Sequence, residues 1–281
     1  MAGYDLHTHS DASDGTTPVE DNVRLAVELG LEGLGVTDHD TTAAWDRAWS
    51  AAEGSRLEIV PGTEFSAEHA GASVHVLGFW FDPADARLVE ELDRLRNERE
   101  HRARAITRRF RELGVEVSFD RIRALAGAAP IARPHIAAAV VETGAAATTK
   151  EVFDRFLADG GPAYVAKHAV DPVRAVELLS AAGGVAVLAH PGLFGARDGR
   201  TGTPDELIDE MAAAGLGGIE VDHPDHTQEH RAHYGDLADA LGLVRTAGSD
   251  YHGAAKPNRL GQVTCSRSVV DELRGRIRRA T

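Results

Sequence analysis

Two histidines separated by one residue, His7 and His9, lie in the string Tyr4-Asp5-Leu6-His7-Thr8-His9-Ser10, and Asp14 follows in a Ser/Asp/Gly loop. Side chains two apart on a strand project to the same face. The pair therefore offers two imidazoles to one metal ion, and Asp14 adds a hard oxygen for that ion or a neighbour. A lone H-x-H pair near a terminus is a common accident. Here the pattern is repeated, because further apolar, strand-like runs carry or lead into His39, Glu64, His75, His190, Asp250 and His252. Together these nine are six imidazoles and three carboxylates. A donor set rich in nitrogen and oxygen, without sulfur, suits Zn, Mn or Fe rather than Ca or Mg. One tetrahedral ion would use four of them, so nine ligands with a bridging carboxylate point to two or three divalent ions.

The elements that must position these residues are read from the patterning. Residues 18–30 are expected to be helical, with Pro18 in the first turn and Gly30 at the end. Short apolar strands are expected at the N-terminal string and over 34–37, 57–60, 74–79, 185–189, 218–221 and 243–247. Helices are expected over 43–53, 205–214 and 228–241. Between Asp85 and about Tyr164 the rhythm changes. Leu88, Leu92 and Leu95, then Ile106, Phe110 and Leu113, are spaced for one face of a helix, with seven arginines between Arg94 and Arg109. Seven short strands alternating with helices imply a parallel α/β architecture. Polar residues gathered after nearly every strand favour a (β/α) barrel, whose site forms at the strand ends. A doubly wound open sheet would gather its ligands at one switch point instead. The expected organisation is a first part of the barrel over 1–84, a helical insertion over 85–164 and the rest of the barrel over 165–281.

The chain has 281 residues, a hydrophobic content of 43% and a formal net charge of -14. An acidic balance argues against a stable complex with long nucleic acid, which demands a basic surface. It leaves open a small phosphorylated substrate, since the charge of a site can oppose the charge of the whole. Cys265 is the single cysteine, so neither an internal disulfide nor a thiolate metal site is available. No apolar run is long enough to span a bilayer and no signal peptide is evident. No membrane association is expected, and a cytoplasmic location follows as the default.

Read in order, the strings Asp5-Leu6-His7-Thr8-His9-Ser10, Val36-Thr37-Asp38-His39-Asp40, Arg133-Pro134-His135, Gly161-Pro162-Ala163-Tyr164-Val165, Leu188-Ala189-His190-Pro191-Gly192 and Gly248-Ser249-Asp250-Tyr251-His252-Gly253 resemble the PHP (polymerase and histidinol phosphatase) superfamily of metal-dependent phosphoesterases. The likeness is to its free-standing branch, whose members act on nucleoside 3′,5′-bisphosphates and on the 5′ ends of short RNA. It covers nearly the whole chain. The resemblance implies a distorted seven-stranded (β/α) barrel. It also implies one metal held by His7, His9, Glu64 and Asp250, a second by Asp14, His39 and His252, and a third by His75 and His190 with Glu64 as bridge. None of the nine positions is substituted. One departure is visible at Ala158-Asp159-Gly160-Gly161-Pro162, where relatives often carry a basic residue.

The expected cofactors are accordingly two or three divalent transition metal ions, Mn, Fe or Zn. Three carboxylates contribute about -3 and the ions about +4 to +6, so a filled site is positive and attracts a phosphate within an acidic protein. Such ions bind phosphoryl oxygens, generate hydroxide from water and stabilise the leaving oxygen. The residues expected to carry catalysis are Asp250, Glu64 and His190, and no nucleophilic serine or cysteine is needed. Arg133 and His135 are expected to meet a substrate phosphate, although Pro134 also suits the first turn of a helix. His223, His226, His230 and His233 have the look of a further metal site. A polar helix face accounts for them more simply, while His223 and His226 follow a strand end and are placed to touch substrate. The partner expected is a small nucleotide or short oligonucleotide. Hydrolysis of histidinol phosphate and a non-catalytic metal-binding role are the competing readings. The Arg-Pro-His insertion counts against the first and the intact ligand set against the second.

Overall fold

A computed structural model describes residues 3–126, 131, 133–158, 160–166, 168–195 and 202–277. Among them, seven strands form one sheet in chain order: β1 (Tyr4–Asp5), β2 (Gly33–Val36), β3 (Glu58–His69), β4 (Ala72–Phe79), β5 (Val185–Leu188), β6 (Gly218–Asp222) and β7 (Val244–Ala247). A parallel bridge between Thr8 and Tyr251 brings the end of β7 back to the end of β1, with the His9 amide donating to the Tyr251 carbonyl at 2.8 Å. The sheet is thus a nearly closed seven-stranded barrel, as the sequence implied.

The fully parallel arrangement does not hold. β1 to β3 are parallel, as are β5 to β7, but β4 is antiparallel to both its neighbours. The reason is local. Ala70 and Gly71 both adopt left-handed backbone, with φ of 49° and 80°, and turn the chain straight back without a helix. A reversed strand begins where the parallel strands end. His75 therefore comes from within β4, opposite Ser66 of β3, on a strand that runs against its neighbours rather than parallel to them as expected.

The barrel is filled from alternate strand positions, with Tyr4, Leu6, Val60, Leu77, Phe79, Val187 and Val244 in one buried cluster. Each large apolar side chain buried in this way stabilises the fold by roughly 1.5–3 kcal/mol. Helix α1 (Val19–Glu28) buries Val19, Val23 and Ala26, one helical stripe, and the chain turns at Gly30 with φ 72°. Helix α2 (Trp45–Ala52) is pinned by Trp45, whose indole N–H donates to the Gly62 carbonyl at 2.8 Å. Helix α3 (Ala86–Arg96) follows β4.

Two compact units divide the chain: Met1–Asp93 with Ala169–Thr281, and Arg94–His168. The second is helical. It holds α4 (Glu98–Glu112), α5 (Phe119–Ala126), α6 (Arg133–Glu142) and α7 (Thr149–Val152), the last running into a π turn over Phe153–Leu157. Its own core includes Ile106, Phe110, Ile122, Ile136, Val140 and Leu157. Back in the barrel unit come α8 (Pro172–Ala181), α9 (Asp205–Ala213), α10 (Gln228–Leu241) and α11 (Arg267–Gly275). The strand-by-strand reading passes over α8 and α11. Yet α8 carries both start signals, Asp171 accepting from the Val173 amide and Pro172 in the first turn. No helix among the described residues is long and apolar enough to cross a membrane.

Cys265 is buried where its backbone pairs with Tyr4 of β1 in both directions, at 2.8 and 2.9 Å. Burial pushes its thiol up to about 12. Since the thiolate is the reactive form, a thiol reagent at pH 8 should label the native protein slowly and the urea-unfolded protein at once. Equal labelling rates in the two states would contradict this packing.

Candidate metal centre

Glu64 sits in the middle of the long strand β3, buried, and five imidazoles face its two oxygens. Oε2 lies 3.2, 3.0 and 3.3 Å from the Nε2 atoms of His7, His9 and His39. Oε1 lies 2.8 Å from His75 Nδ1 and 3.0 Å from His190 Nε2. Burial by itself would raise the pKa of this carboxyl, but the surrounding imidazoles, His39 and His75 foremost, hold it well below the usual range.

Asp250 is the second hub. Its Oδ1 lies 3.6, 3.4 and 3.3 Å from His7 Nε2, His9 Nε2 and His252 Nδ1. Its Oδ2 faces the other way, 2.6 Å from Lys256 Nζ and 3.5 Å from His223 Nε2. Here too burial acts upward and the imidazoles, His7 first, prevail, so the carboxyl stays ionised. Asp14 is more exposed and lies 3.4 Å from His9 Nδ1, 3.3 Å from His252 Nε2 and 3.8 Å from His39 Nε2. Burial lowers His39 to about 3. His9 is also opposed by burial, yet the Asp250 and Glu64 carboxylates beside it raise it to about 9.

Donor atoms within 4.8 Å of one another fall into three overlapping groups: His7, His9, Glu64 and Asp250; His9, Asp14, His39 and His252; and His39, Glu64 and His75. The sequence had His9 in one group only and His190 in the third. In the structure His9 belongs to two, and His190 stands outside the third as a partner of Glu64. The chemistry of these groups can be tested on their unpaired atoms. His7 Nε2, both nitrogens of His9, His39 Nδ1, His75 Nδ1, His252 Nε2 and Asp250 Oδ1 are buried and make no hydrogen bond. Buried polar atoms are nearly always paired. A cluster of unpaired imidazole nitrogens around ionised carboxylates is a donor set for divalent transition ions, so the residues fit the metals the sequence implied.

Supporting contacts explain why the ligands stand where they do. Asp38 accepts from the Ser10 amide and hydroxyl, each at 2.8 Å, and from the Ser13 hydroxyl at 2.7 Å, fastening the loop that carries Asp14. Asp5, raised to about 6 by burial, accepts from the amides of Ser249 at 2.9 Å and Gly261 at 2.8 Å, tying β1 to the Asp250 loop. His252 Nδ1 donates to the Asp250 carbonyl at 2.9 Å, which leaves Nε2 as its free lone pair. His190 and Asp250 hold positive φ of 26° and 52°, at a cost of order 1–3 kcal/mol each that the surrounding contacts must offset.

Two residues packed against the cluster escape the sequence reading. Glu220, in β6, is fully buried behind His7. Its signal was an acid in the otherwise apolar run Gly218-Ile219-Glu220-Val221. Lys256 reaches Asp250 from a Gly/Ala loop that carried no signal. The substrate candidates separate. His223 is buried, with Nε2 unpaired toward Asp250 and Nδ1 accepting from the Asp225 amide at 3.1 Å. His226 donates from Nδ1 to the Val221 carbonyl at 2.8 Å and accepts at Nε2 from the Gly192 amide at 3.1 Å. Both its nitrogens are spent on backbone, so it fastens the His190 loop and has none left for substrate. His233 pairs with Asp205 at the surface. Arg133 and His135 open α6 in the helical unit. There Arg133 lines a cavity of about 430 Å³ with Arg99, Arg102, Glu98 and Phe153. In the barrel unit a cavity of about 560 Å³ is lined by His39, Glu64, His75, His190, Asp250 and Lys256. The departure at Asp159 lies outside the described residues.

A nearly closed seven-stranded barrel whose His/Asp/Glu cluster could hold divalent ions fits a metal-dependent phosphoester hydrolase, and its relatives place it in that class. The chain belongs to the PHP family: residues 5–129 match the PHP domain, and relatives of known name extend the likeness over most of its length. It is 34% identical to a 3′,5′-nucleoside bisphosphate phosphatase of Chromobacterium violaceum over 92% of this chain and 90% of that protein. It is 33% identical to a 5′-3′ exoribonuclease of Haemophilus influenzae over 89% of each. A phosphoribosyl 1,2-cyclic phosphate 1,2-diphosphodiesterase of Eggerthella lenta is 34% identical over 89% of this chain and 94% of its own. The crystal structure of a Bifidobacterium adolescentis protein assigned as a metal-dependent phosphoesterase superposes with a TM-score of 0.74. That pair is 33% identical, and the match covers 99% of this chain and 97% of that one.

Metal binding should stabilise the fold, because the donor groups exist only when it is formed. Protein stripped with a chelator and then given Zn²⁺ or Mn²⁺ at 100 times the dissociation constant should gain about 2.7 kcal/mol. Thermal unfolding with and without metal reads this directly, and an unchanged Tm would mean that no ion occupies the cluster.

Proposed function

We propose that the protein hydrolyses phosphate esters of nucleotides, namely the 3′-phosphate of nucleoside 3′,5′-bisphosphates and the 5′ ends of short RNA, with two or three Mn, Fe or Zn ions. The observation that carries this reading is the gathering of unpaired imidazole nitrogens around the buried carboxylates Glu64 and Asp250, both of which line a cavity of the barrel unit. The names of two relatives support the nucleotide class. The proposed ligands are His7, His9, Asp14, His39, Glu64, His75, His190, Asp250 and His252. Divalent ions held there would neutralise phosphoryl oxygens and lower the pKa of a water at the site.

The side chains have the remaining work. Asp250 Oδ2, on the Lys256 side of the carboxylate, is the proposed acceptor of a proton from the attacking water. His190, on the cavity wall, would serve the chemistry as a ligand rather than as a proton donor, since its Nε2 cannot hold an ion and a proton at once, and Glu64 orients that ring through its 3.0 Å contact. His223 and Lys256 offer positive or donor groups to a phosphoryl oxygen. In the helical segment, proposed over 85–164 as a substrate cap, Arg133 and His135 take the phosphate that is not cleaved, and Arg99 or Arg102 is the further partner. The substrate is a small phosphorylated molecule, and a cytoplasmic setting suits it.

The deciding assay measures products from a nucleoside 3′,5′-bisphosphate, a 5′-phosphorylated oligonucleotide, a ribosyl 1,2-cyclic phosphate and histidinol phosphate, each with Mn²⁺. The first two should be turned over best, and preference for either of the others would replace this reading. Asp250→Asn should leave a folded protein without measurable turnover, and near-wild-type kcat in the metal-loaded variant would remove Asp250 from the chemistry. A bidentate arginine–phosphate contact is strong and oriented, and anchoring a remote phosphate positions the scissile one. Arg133→Ala should therefore lower kcat/KM for the bisphosphate on the order of 10²-fold, with little change for a monophosphate. Equal losses on both would assign Arg133 to the scissile phosphate or to the fold.

A further inference from the structure

We infer that Glu220 is the positioning residue that fixes the His7 proton on Nδ1 and so presents Nε2, as a bare lone pair, to a metal ion. The inference rests on the reading of His7, His9, Glu64 and Asp250 as a metal-binding group. Glu220 is fully buried in β6, one strand away from any proposed ligand of that group. Its Oε1 and Oε2 lie 3.1 and 3.3 Å from His7 Nδ1. Its Oε2 also accepts from the backbone N–H of His190 at 2.9 Å.

Those contacts impose an asymmetric demand. The His190 amide is a donor and nothing else. A carboxylate has only acceptors, so it satisfies that amide and still obliges His7 Nδ1 to carry the proton. With the proton on Nδ1, Nε2 is unprotonated on the side that faces Glu64 at 3.2 Å and Asp250 at 3.6 Å. The outer hydrogen bond of a metal-binding histidine sets its tautomer and orientation in this way. The fold leaves room for the contact at Gly248. A Cβ there would lie 2.5 Å from Glu220 Oε1 and 2.3 Å from the Cβ of His7. Only glycine lets the acid and the imidazole meet.

The substitution Glu220→Gln keeps the size and removes the asymmetry. Its single amide oxygen is claimed by the His190 N–H, and its NH₂ then donates to His7 Nδ1. That drives the proton to Nε2, where it blocks ligation. Glu220→Asp is shorter but keeps two acceptor oxygens. The two roles therefore predict opposite orders. If Glu220 acts as an acceptor, Asp preserves metal binding better than Gln; if it only fills space, Gln is harmless and Asp is worse.

The experiment is titration of chelator-stripped protein with Zn²⁺ against a chromophoric competitor, for the wild type and both variants. Wild type should bind tightly, and Glu220→Gln should lose on the order of 10–100-fold in affinity or more. Glu220→Asp should fall between them. Circular dichroism of the stripped proteins should coincide. Nitrogen-15 NMR of the zinc-loaded wild type gives an independent readout that needs no variant to fold, and it should show the His7 proton on Nδ1. Affinity of Glu220→Gln equal to wild type, or a wild-type His7 protonated on Nε2, overturns this inference alone. A wild type that binds no Zn²⁺ overturns the metal reading and this inference with it.

Discussion

A carboxylate carried into the interior of a barrel cannot be solvated by water, and Glu64 is such a group. Moving an ion out of water costs several kcal/mol even after the protein relaxes. The cost is met only if both oxygens find partners of the right polarity, and here His7, His9, His39, His75 and His190 supply them. The imidazoles come from four different strands or strand ends. Every one of them must be delivered to within about 3 Å of one side chain, and the rest of the barrel unit answers to that demand.

The demand explains features that are otherwise costly. His190 and Asp250 sit at positive φ without being glycine, because the direction of the ring and of the carboxylate matters more than local comfort. Acids that bind no proposed ion are buried close by: Asp5, Asp38 and Glu220. Each spends its oxygens on backbone amides, hydroxyls or a ring N–H in the loops that bear ligands. They convert loop ends, which are ordinarily mobile, into fixed mounts. His226 does the same with an imidazole, one nitrogen holding Gly192 beside His190 and the other the Val221 carbonyl of β6.

Much of this was legible in the sequence. The H-x-H pair was readable because strand geometry has period two, and seven apolar runs with polar ends were readable because burial imposes them. The direction of β4 was not. Periodicity says that a segment is extended and says nothing of which way it runs, and the only local clue was the turn at Ala70-Gly71. His75 was therefore found as a ligand candidate in the right strand, but the direction of that strand was not. Roles that depend on pairing across the barrel were also hidden. His226 and His223 look alike on the chain, yet one is consumed by backbone and the other turns an unpaired nitrogen to Asp250. Glu220 was visible only as an acid among aliphatics. Lys256 was not visible at all, because a lysine in a loop is nearly always solvated.

The geometry also ties the chemistry to the integrity of the barrel. Its closing seam is thin: β1 is two residues long, and among the described residues its end meets the end of β7 through one bridge, at Thr8 and Tyr251. The proposed ligands straddle that seam. His7 and His9 stand on one side of it and Asp250 and His252 on the other, while Glu64 reaches them from β3. The contact His9 Nε2 to Asp250 Oδ1 at 3.4 Å already crosses it. An ion held by His7, His9, Glu64 and Asp250 would join the first strand, the third and the last. Such an ion would supply a cross-link at a seam that, among the described residues, holds few hydrogen bonds of its own. The proposed site and the closing seam therefore share the same residues, so whatever loosens the seam would loosen the site with it.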